Sequence, residues 1–193
     1  MDAEDSELVV RSKDGDLQAF NFIVQRYQSQ VLNLSARIIG DRGRAEDVTQ
    51  ETFISAYQAI GRFRGGSLRA WLMRIAANAS RDSLRGSQRR PEQSLDESLE
   101  SASFQPVSAE PSPEEHAERS ELNAELQKAI LALSDDQRAV LVLIDVQGFS
   151  YEETTEFVGA SIGTVKSRLN RARRRVRDIL MERRELLPDR FRQ

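Results

Sequence analysis

Along the first half of the chain apolar residues return every three or four positions. Leu17, Phe20, Ile23, Val24 and Tyr27 run into Val31, Leu34 and Ile38 before Gly40 and Asp41 break the pattern, which predicts one long helix buried on a single side. A second helix follows from about Arg44, with Ala45, Val48, Phe53, Ala56, Tyr57 and Ile60 apolar and Asp47, Gln50, Glu51 and Gln58 left outside. After Gly65 and Gly66 a third begins near Ser67, a suitable N-cap, and buries Leu68, Leu72, Ile75, Ala76 and Ala79. On another face of that helix Arg74, Asn78, Arg81 and Arg85 fall four, three and four residues apart. A basic stripe carrying one amide suits a nucleic-acid groove.

The helical period is lost between Pro91 and Ala117, where Ser, Glu and Pro dominate. Such a composition cannot bury enough apolar surface to order itself and reads as a flexible acidic linker. Beyond it the pattern resumes, predicting helices at about Arg119 to Ala132, Asp135 to Val146, Tyr151 to Val158 and Ile162 to Met181. Ser134 and Ser150 stand at N-cap positions, and Ser150 with Glu153 has the spacing of a capping box. The break at Gly159 and Ala160 is the turn of a helix-turn-helix. The expected fold is all-α, with a helical bundle over residues 1–90, a linker over 91–118, a helix-turn-helix domain over 119–185 and a short tail over 186–193.

Composition sharpens this picture in two places. The chain has no cysteine, which excludes disulfides, thiolate nucleophiles and cysteine-ligated metals. Its formal net charge is −3, yet between Lys166 and Arg184 the bases Lys166, Arg168, Arg171, Arg173, Arg174, Arg175, Arg177, Arg183 and Arg184 are opposed only by Asp178 and Glu182. That segment alone supplies a phosphate-binding surface. The acidic N-terminus lacks the pattern of a secretion signal and no apolar run approaches a membrane span, so a cytoplasmic protein without membrane insertion is expected.

The second helix of a helix-turn-helix enters the major groove, reading bases near its N-terminus and clamping phosphates further along. This assigns major-groove base and phosphate contacts to Ser161, Gly163, Thr164, Lys166, Ser167, Arg168, Arg171, Arg174 and Arg175, with Val165 and Leu169 as the buried seam. Enzyme chemistry has little to work with. The single histidine, His116, falls in the linker, and the carboxylate pairs Asp135 with Asp136 and Glu152 with Glu153 sit in first turns, where acids complement the helix dipole. No catalytic residue, metal site or cofactor is expected. The competing class is a stand-alone helix-turn-helix regulator that reads an operator as a dimer.

The stretch from Gly148 to Glu153, then Gly163-Thr164-Val165-Lys166-Ser167-Arg168-Leu169 and Arg171-Ala172-Arg173, closely resembles region four of sigma-70 factors of the extracytoplasmic-function (ECF) group. Ala45-Glu46-Asp47-Val48-Thr49-Gln50-Glu51-Thr52-Phe53 resembles region 2.2, and Phe63-Arg64-Gly65 with the run from Trp71 to Asn78 resembles regions 2.3 and 2.4. The resemblance implies a transcription initiation factor rather than an enzyme. Its partners would be core RNA polymerase, through the largest subunit's clamp helices and the second-largest subunit's flap, promoter DNA, and an anti-sigma factor.

Carried over by residue, Asp47, Gln50 and Glu51 would dock on the clamp helices, while Phe53 has the spacing of a core residue. Arg74, Asn78, Arg81 and Arg85 would face the minus-10 element, with Asn78 holding a flipped base. Trp71, beside Leu68, Leu72 and Ile75, belongs to the core by its spacing. The loop from Arg64 to Arg69 lacks the aromatic found after Ser67 in some members, which leaves its preferred base open. The linker is either a plain spacer or, as the family implies, a segment running toward the polymerase channels.

Overall fold

The computed structural model describes residues 3–89 and 113–182. Glu92, Asp96, Glu97, Glu100 and Glu110 of the expected linker, Arg183, Arg184 and the tail over 186–193 lie outside the described residues. Every described element is helical: α1 (Ala3–Lys13), α2 (Leu17–Ile39), α3 (Arg42–Ala59) with a 3-10 turn (Ile60–Arg62), α4 (Leu68–Arg89), α5 (Pro113–Leu131), α6 (Asp135–Leu141) prolonged by a π-helical turn (Val142–Val146), α7 (Tyr151–Val158) and α8 (Ile162–Glu182).

Side-chain caps set the helix starts. The Asp16 carboxylate accepts from the backbone N–H groups of Gln18 and Ala19 at 2.9 and 3.1 Å. The bond from Ala19, then Arg11 beside it, holds that carboxyl below its ordinary range. Asp41 accepts from the Arg44 N–H at 2.8 Å and Ser67 from that of Ala70 at 3.1 Å. At α7 the capping box closes both ways: the Ser150 hydroxyl accepts from the Glu153 N–H at 3.1 Å, and the Glu153 carboxylate accepts from the Ser150 N–H at 2.9 Å. Helix α5 starts at Pro113, inside the stretch expected to be linker, so His116 falls on a helix. Proline at the first helical position followed by Glu114 and Glu115 is a favourable N-terminus that the composition of the neighbouring residues conceals.

Helix α1 has no counterpart among the expected elements, because it presents only Leu8 and Val9 to the core. Polar contacts hold it instead. Asp5, 5% exposed, accepts from the Tyr27 hydroxyl at 2.7 Å and from Arg26 at 2.8 Å. At the other end Lys13 donates to the Phe63 carbonyl at 2.6 Å.

The two halves share one core. Ile23, Leu34, Ile38, Leu68, Leu72 and Met73 of the N-terminal half and Ile130, Val140, Val142, Leu143 and Leu169 of the C-terminal half are fully buried, in a single apolar cluster that reaches from Leu8 to Ala172. Helix α2 packs on α5 and α6, and α4 packs on α6 and α7. The halves meet at Gly40, whose φ of 81° ends α2 in the left-handed region. A Cβ there would stand 2.5 Å from a methyl of Leu131, so the backbone favours glycine and any side chain would push that methyl aside.

Arg138 fastens the joint. It is 8% exposed and donates to the carbonyl of Ile38 at 2.7 Å and to those of Leu131 and Leu133 at 2.7 and 3.0 Å, the orphaned ends of α2 and α5. Burial pushes its guanidinium below the ordinary range while Asp135, 3.9 Å away, pushes it back. Arg138→Ala leaves three carbonyls without that donor and should lower unfolding stability by about 3 kcal/mol. Arg42→Ala, which breaks an exposed pair with Glu46, should stay within about 0.5 kcal/mol in the same urea titration.

Candidate nucleic-acid interface

Helices α7 and α8 form the expected helix-turn-helix. Gly159 ends α7 with φ 63° and ψ 38°, a left-handed residue that lets the chain turn at once into α8. The Ser161 hydroxyl accepts from the Thr164 N–H at 3.2 Å and lies 2.9 Å from the Thr164 hydroxyl. Phe149 and Phe157 meet edge to face, 4.9 Å between ring centres, and with Val158, Val165, Leu169 and Ala172 buried they fix the angle between the two helices.

The outer side of α8 carries Ser161, Gly163, Lys166, Arg171, Arg174 and Arg175 exposed, and Thr164, Ser167 and Arg168 half-buried. The Ser167 hydroxyl donates to the Thr164 carbonyl at 2.9 Å, and Lys166 stands 5.7 Å from the Tyr151 ring centre. Exposed Ile162, 42% accessible, adds an apolar tip to the entry turn of α8. Gly163 is helical, and a Cβ there would meet only the Ser161 hydroxyl at 3.9 Å. Nothing inside the protein requires a glycine at that point.

On α4, Arg74, Asn78 and Arg85 are exposed as the stripe predicts. Arg81 is drawn inward instead: its side chain is 13% exposed and donates to Asp136 at 3.0 Å and to the Val158 carbonyl at 3.3 Å. Trp71 packs on Phe63, 5.1 Å between ring centres, and Leu72 beneath it is fully buried.

Helix α3 buries Ala45, Val48, Thr52, Phe53 and Ala56 and leaves Asp47, Gln50 and Glu51 exposed. That outer face continues into Ile54, 59% exposed, and Tyr57, 41% exposed. Sequence reading passed over Ile54 and counted Tyr57 with the apolar side; stepping seven residues, about two helical turns, from Asp47 and Gln50 leads to Ile54 and Tyr57. Ile54 and Tyr57 thus extend the exposed face of Asp47, Gln50 and Glu51 with two apolar side chains.

The basic surface is partly neutralised from within. Arg173 forks onto Asp145 of the π turn at 2.9 and 2.6 Å, and Arg168 pairs with Asp136. Among the described residues no group of histidine, cysteine and carboxylate side chains could hold a metal, and no helix is long and apolar enough to cross a membrane.

Comparison with known proteins matches the model "Sigma-70 region 2" over residues 23–90 and the model "Sigma-70, region 4" over residues 123–176. The RNA polymerase sigma-H factor of Pseudomonas aeruginosa is 39% identical over 175 residues, spanning 88% of this chain and 90% of that protein. The ECF RNA polymerase sigma-E factor of Escherichia coli is 38% identical over 173 residues, again 88% and 90%. Among solved structures, the sigma factor RpoE in complex with the anti-sigma factor NepR from Bartonella quintana superposes with a TM-score of 0.64 at 27% identity, covering 85% of this chain and 98% of that one.

Arg171→Ala and Arg174→Ala remove exposed positive charges of α8 and should weaken duplex binding by similar factors on every sequence. Each should also lower the slope of log affinity against log salt by about 1. Gel-shift titrations at three salt concentrations read both effects.

Proposed function

Because the chain belongs to the ECF group of sigma-70 RNA polymerase sigma factors, we propose that its three outward faces divide the work of promoter-directed initiation. The protein is a transcription initiation factor that works with core RNA polymerase on promoter DNA. The face of α3 with Asp47, Gln50, Glu51, Ile54 and Tyr57 meets the clamp helices of the largest subunit. Carboxylates around an exposed isoleucine and tyrosine suit a basic, partly apolar helical partner.

Arg74, Asn78, Arg81 and Arg85 of α4 serve the minus-10 element. Arginines hold the backbone, and Asn78, which both donates and accepts, holds a base taken out of the stack. Ser161, Gly163, Thr164, Lys166, Ser167, Arg168, Arg171, Arg174 and Arg175 of α8 serve the minus-35 element in the major groove, while the C-terminal domain meets the second-largest subunit's flap. Residues 1–90 and 119–185 act as two reading heads, and the segment over 91–118 tethers them so that engaging one raises the effective concentration of the other. The chain makes and breaks no bond itself and works in the cytoplasm, where the polymerase is. RpoE in its solved complex carries an anti-sigma factor, and we extend that mode of control to this chain.

The observation that carries this reading is the presence, in one chain, of an exposed acidic and apolar face on α3 beside basic faces on α4 and α8. Run-off transcription with purified core polymerase on a library of randomised promoters tests it. Specific transcripts should appear only with the protein added, and Glu51→Lys should weaken assembly with core about tenfold, or roughly 1.4 kcal/mol. DNA binding with no transcript from any promoter would point to an operator-binding regulator instead.

A further inference from the structure

The helix that precedes the matched region-2 segment reaches a loop inside it. The match begins at residue 23, whereas α1 spans Ala3–Lys13. From the last turn of α1, Lys13 donates to the Phe63 carbonyl at 2.6 Å across 50 residues of chain. Its ammonium stands 6.0 Å from the centre of the Phe63 ring. Trp71 of α4 packs on the same ring at 5.1 Å, and Phe63 is 5% exposed. The residue just before the loop is thus held from α1 as well as from α4.

The loop itself has little to hold it. Arg64, Gly65 and Gly66 are exposed. Gly65 and Gly66 take φ of 95° and 89°, and a Cβ on either would meet nothing within 4 Å. Its position is therefore set at its two ends. The far end is fixed by the Ser67 cap, which accepts from the Ala70 N–H at 3.1 Å, and by Arg69, which donates to Gln30 and to the Gln147 carbonyl, both at 2.9 Å. The near end has a local turn, in which the Phe63 N–H donates to the Ile60 carbonyl at 3.1 Å, and the long-range bond from Lys13. Between these ends the backbone N–H and C=O groups of two glycines stand clear of side chains, so a base edge can approach them. Helix α4 runs on from the loop to the minus-10 groups. Trp71 and Asn78 lie two turns apart on one side of it, roughly 10 Å along the axis, or about three stacked nucleotides.

We infer that Lys13 is a positioning residue for base choice in the minus-10 element: by fixing Phe63 it sets where the bare backbone of residues 64–66 stands against an unpaired base near the one held by Asn78. This rests on the assignment of α4 to that element. Lys13 itself touches no base, since its ammonium is engaged by the Phe63 carbonyl. It also places a cation at the end of α1, where it complements the helix dipole. If that were its whole role, removing it would weaken α1 and leave base choice alone. Positioning has a different signature, because a displacement of about 1 Å in a donor or acceptor loses discrimination before it loses binding.

The test is run-off transcription by holoenzyme containing the full chain on the randomised promoter library, scored base by base across the minus-10 element. Lys13→Met keeps the aliphatic stem and removes the donor. It should flatten the preference at one position by about tenfold, with the minus-35 preference and assembly with core kept within about twofold. Lys13→Arg, which retains a donor for a single carbonyl, should hold the preference within about threefold of wild type. Gly66→Ala strains the loop directly and should re-rank the same position. Tyr27→Phe removes the hydroxyl bound to Asp5 and loosens α1 at its other end; the base ranking should not change. An unchanged ranking in Lys13→Met, in a chain whose circular dichroism shows it folded, overturns the inference. An equal loss on every promoter with a shallower salt dependence also overturns it, that being the mark of a phosphate contact. So does the same re-ranking in Tyr27→Phe, which traces the effect to α1 as a whole, or a different position re-ranked by Gly66→Ala. Failure of the functional assignment reads differently, as absence of transcripts from the wild-type holoenzyme.

Discussion

Two helices of this protein end inside it, and the arrangement of the rest follows from how those ends are satisfied. The last carbonyls of α2 and α5 have no intrahelical donors, and buried carbonyls left without partners are costly. A single guanidinium, Arg138, reaches both ends because its donors lie in a fixed planar fork that a lysine ammonium lacks. Its position in α6 ties the C-terminal half to the ends of α2 and α5 together. Gly40 allows the contact, since any larger residue would displace Leu131. Once α2, α5 and α6 are joined there, α4 has α6 and α7 as neighbours, and the positions of Arg69 and Arg81 follow.

That joint explains a division in what could be read from residues alone. Features governed by neighbours in sequence were legible. Gly40 closes α2, Ser67 caps α4, Ser150 and Glu153 close a capping box, and Phe53 and Leu72 point inward, all as spacing and cap chemistry require. Helix α1 was not, because its attachment runs through Asp5, Tyr27 and Arg26 rather than through an apolar stripe. The turn of Arg81 toward Asp136 was equally hidden. Periodicity places Arg81 on the same stripe as Asn78, but the carboxylate that draws it inward lies 55 residues away. Asp136 itself reads as an ordinary first-turn acid, a role it still fills while bridging two arginines.

The charge balance of the chain has a structural counterpart. Acids are placed where they answer particular bases of the C-terminal helix: Asp136 on Arg168 and Asp145 on Arg173. The π-helical turn matters here, since Asp145 lies within it and a π turn changes the direction in which side chains leave the helix. Arg171, Arg174 and Arg175, which meet no carboxylate among the described residues, are exposed along α8. The protein thus carries a graded cationic surface, part internally neutralised and part ready for phosphate, within a chain whose net charge is negative.

Gly163 bears on how such a factor diverges. A side chain added there meets open space on the protein side, and alanine is a better helix former than glycine. Folding therefore places no obstacle in the way of replacing it. Under the proposed major-groove role the constraint on this position comes from the DNA rather than from the protein's interior, so the promoter and this position can change together while the scaffold stays as it is. After gene duplication, two copies of such a protein could part company in the promoters they serve through this turn of α8, with Arg138 and its joint inherited intact by both.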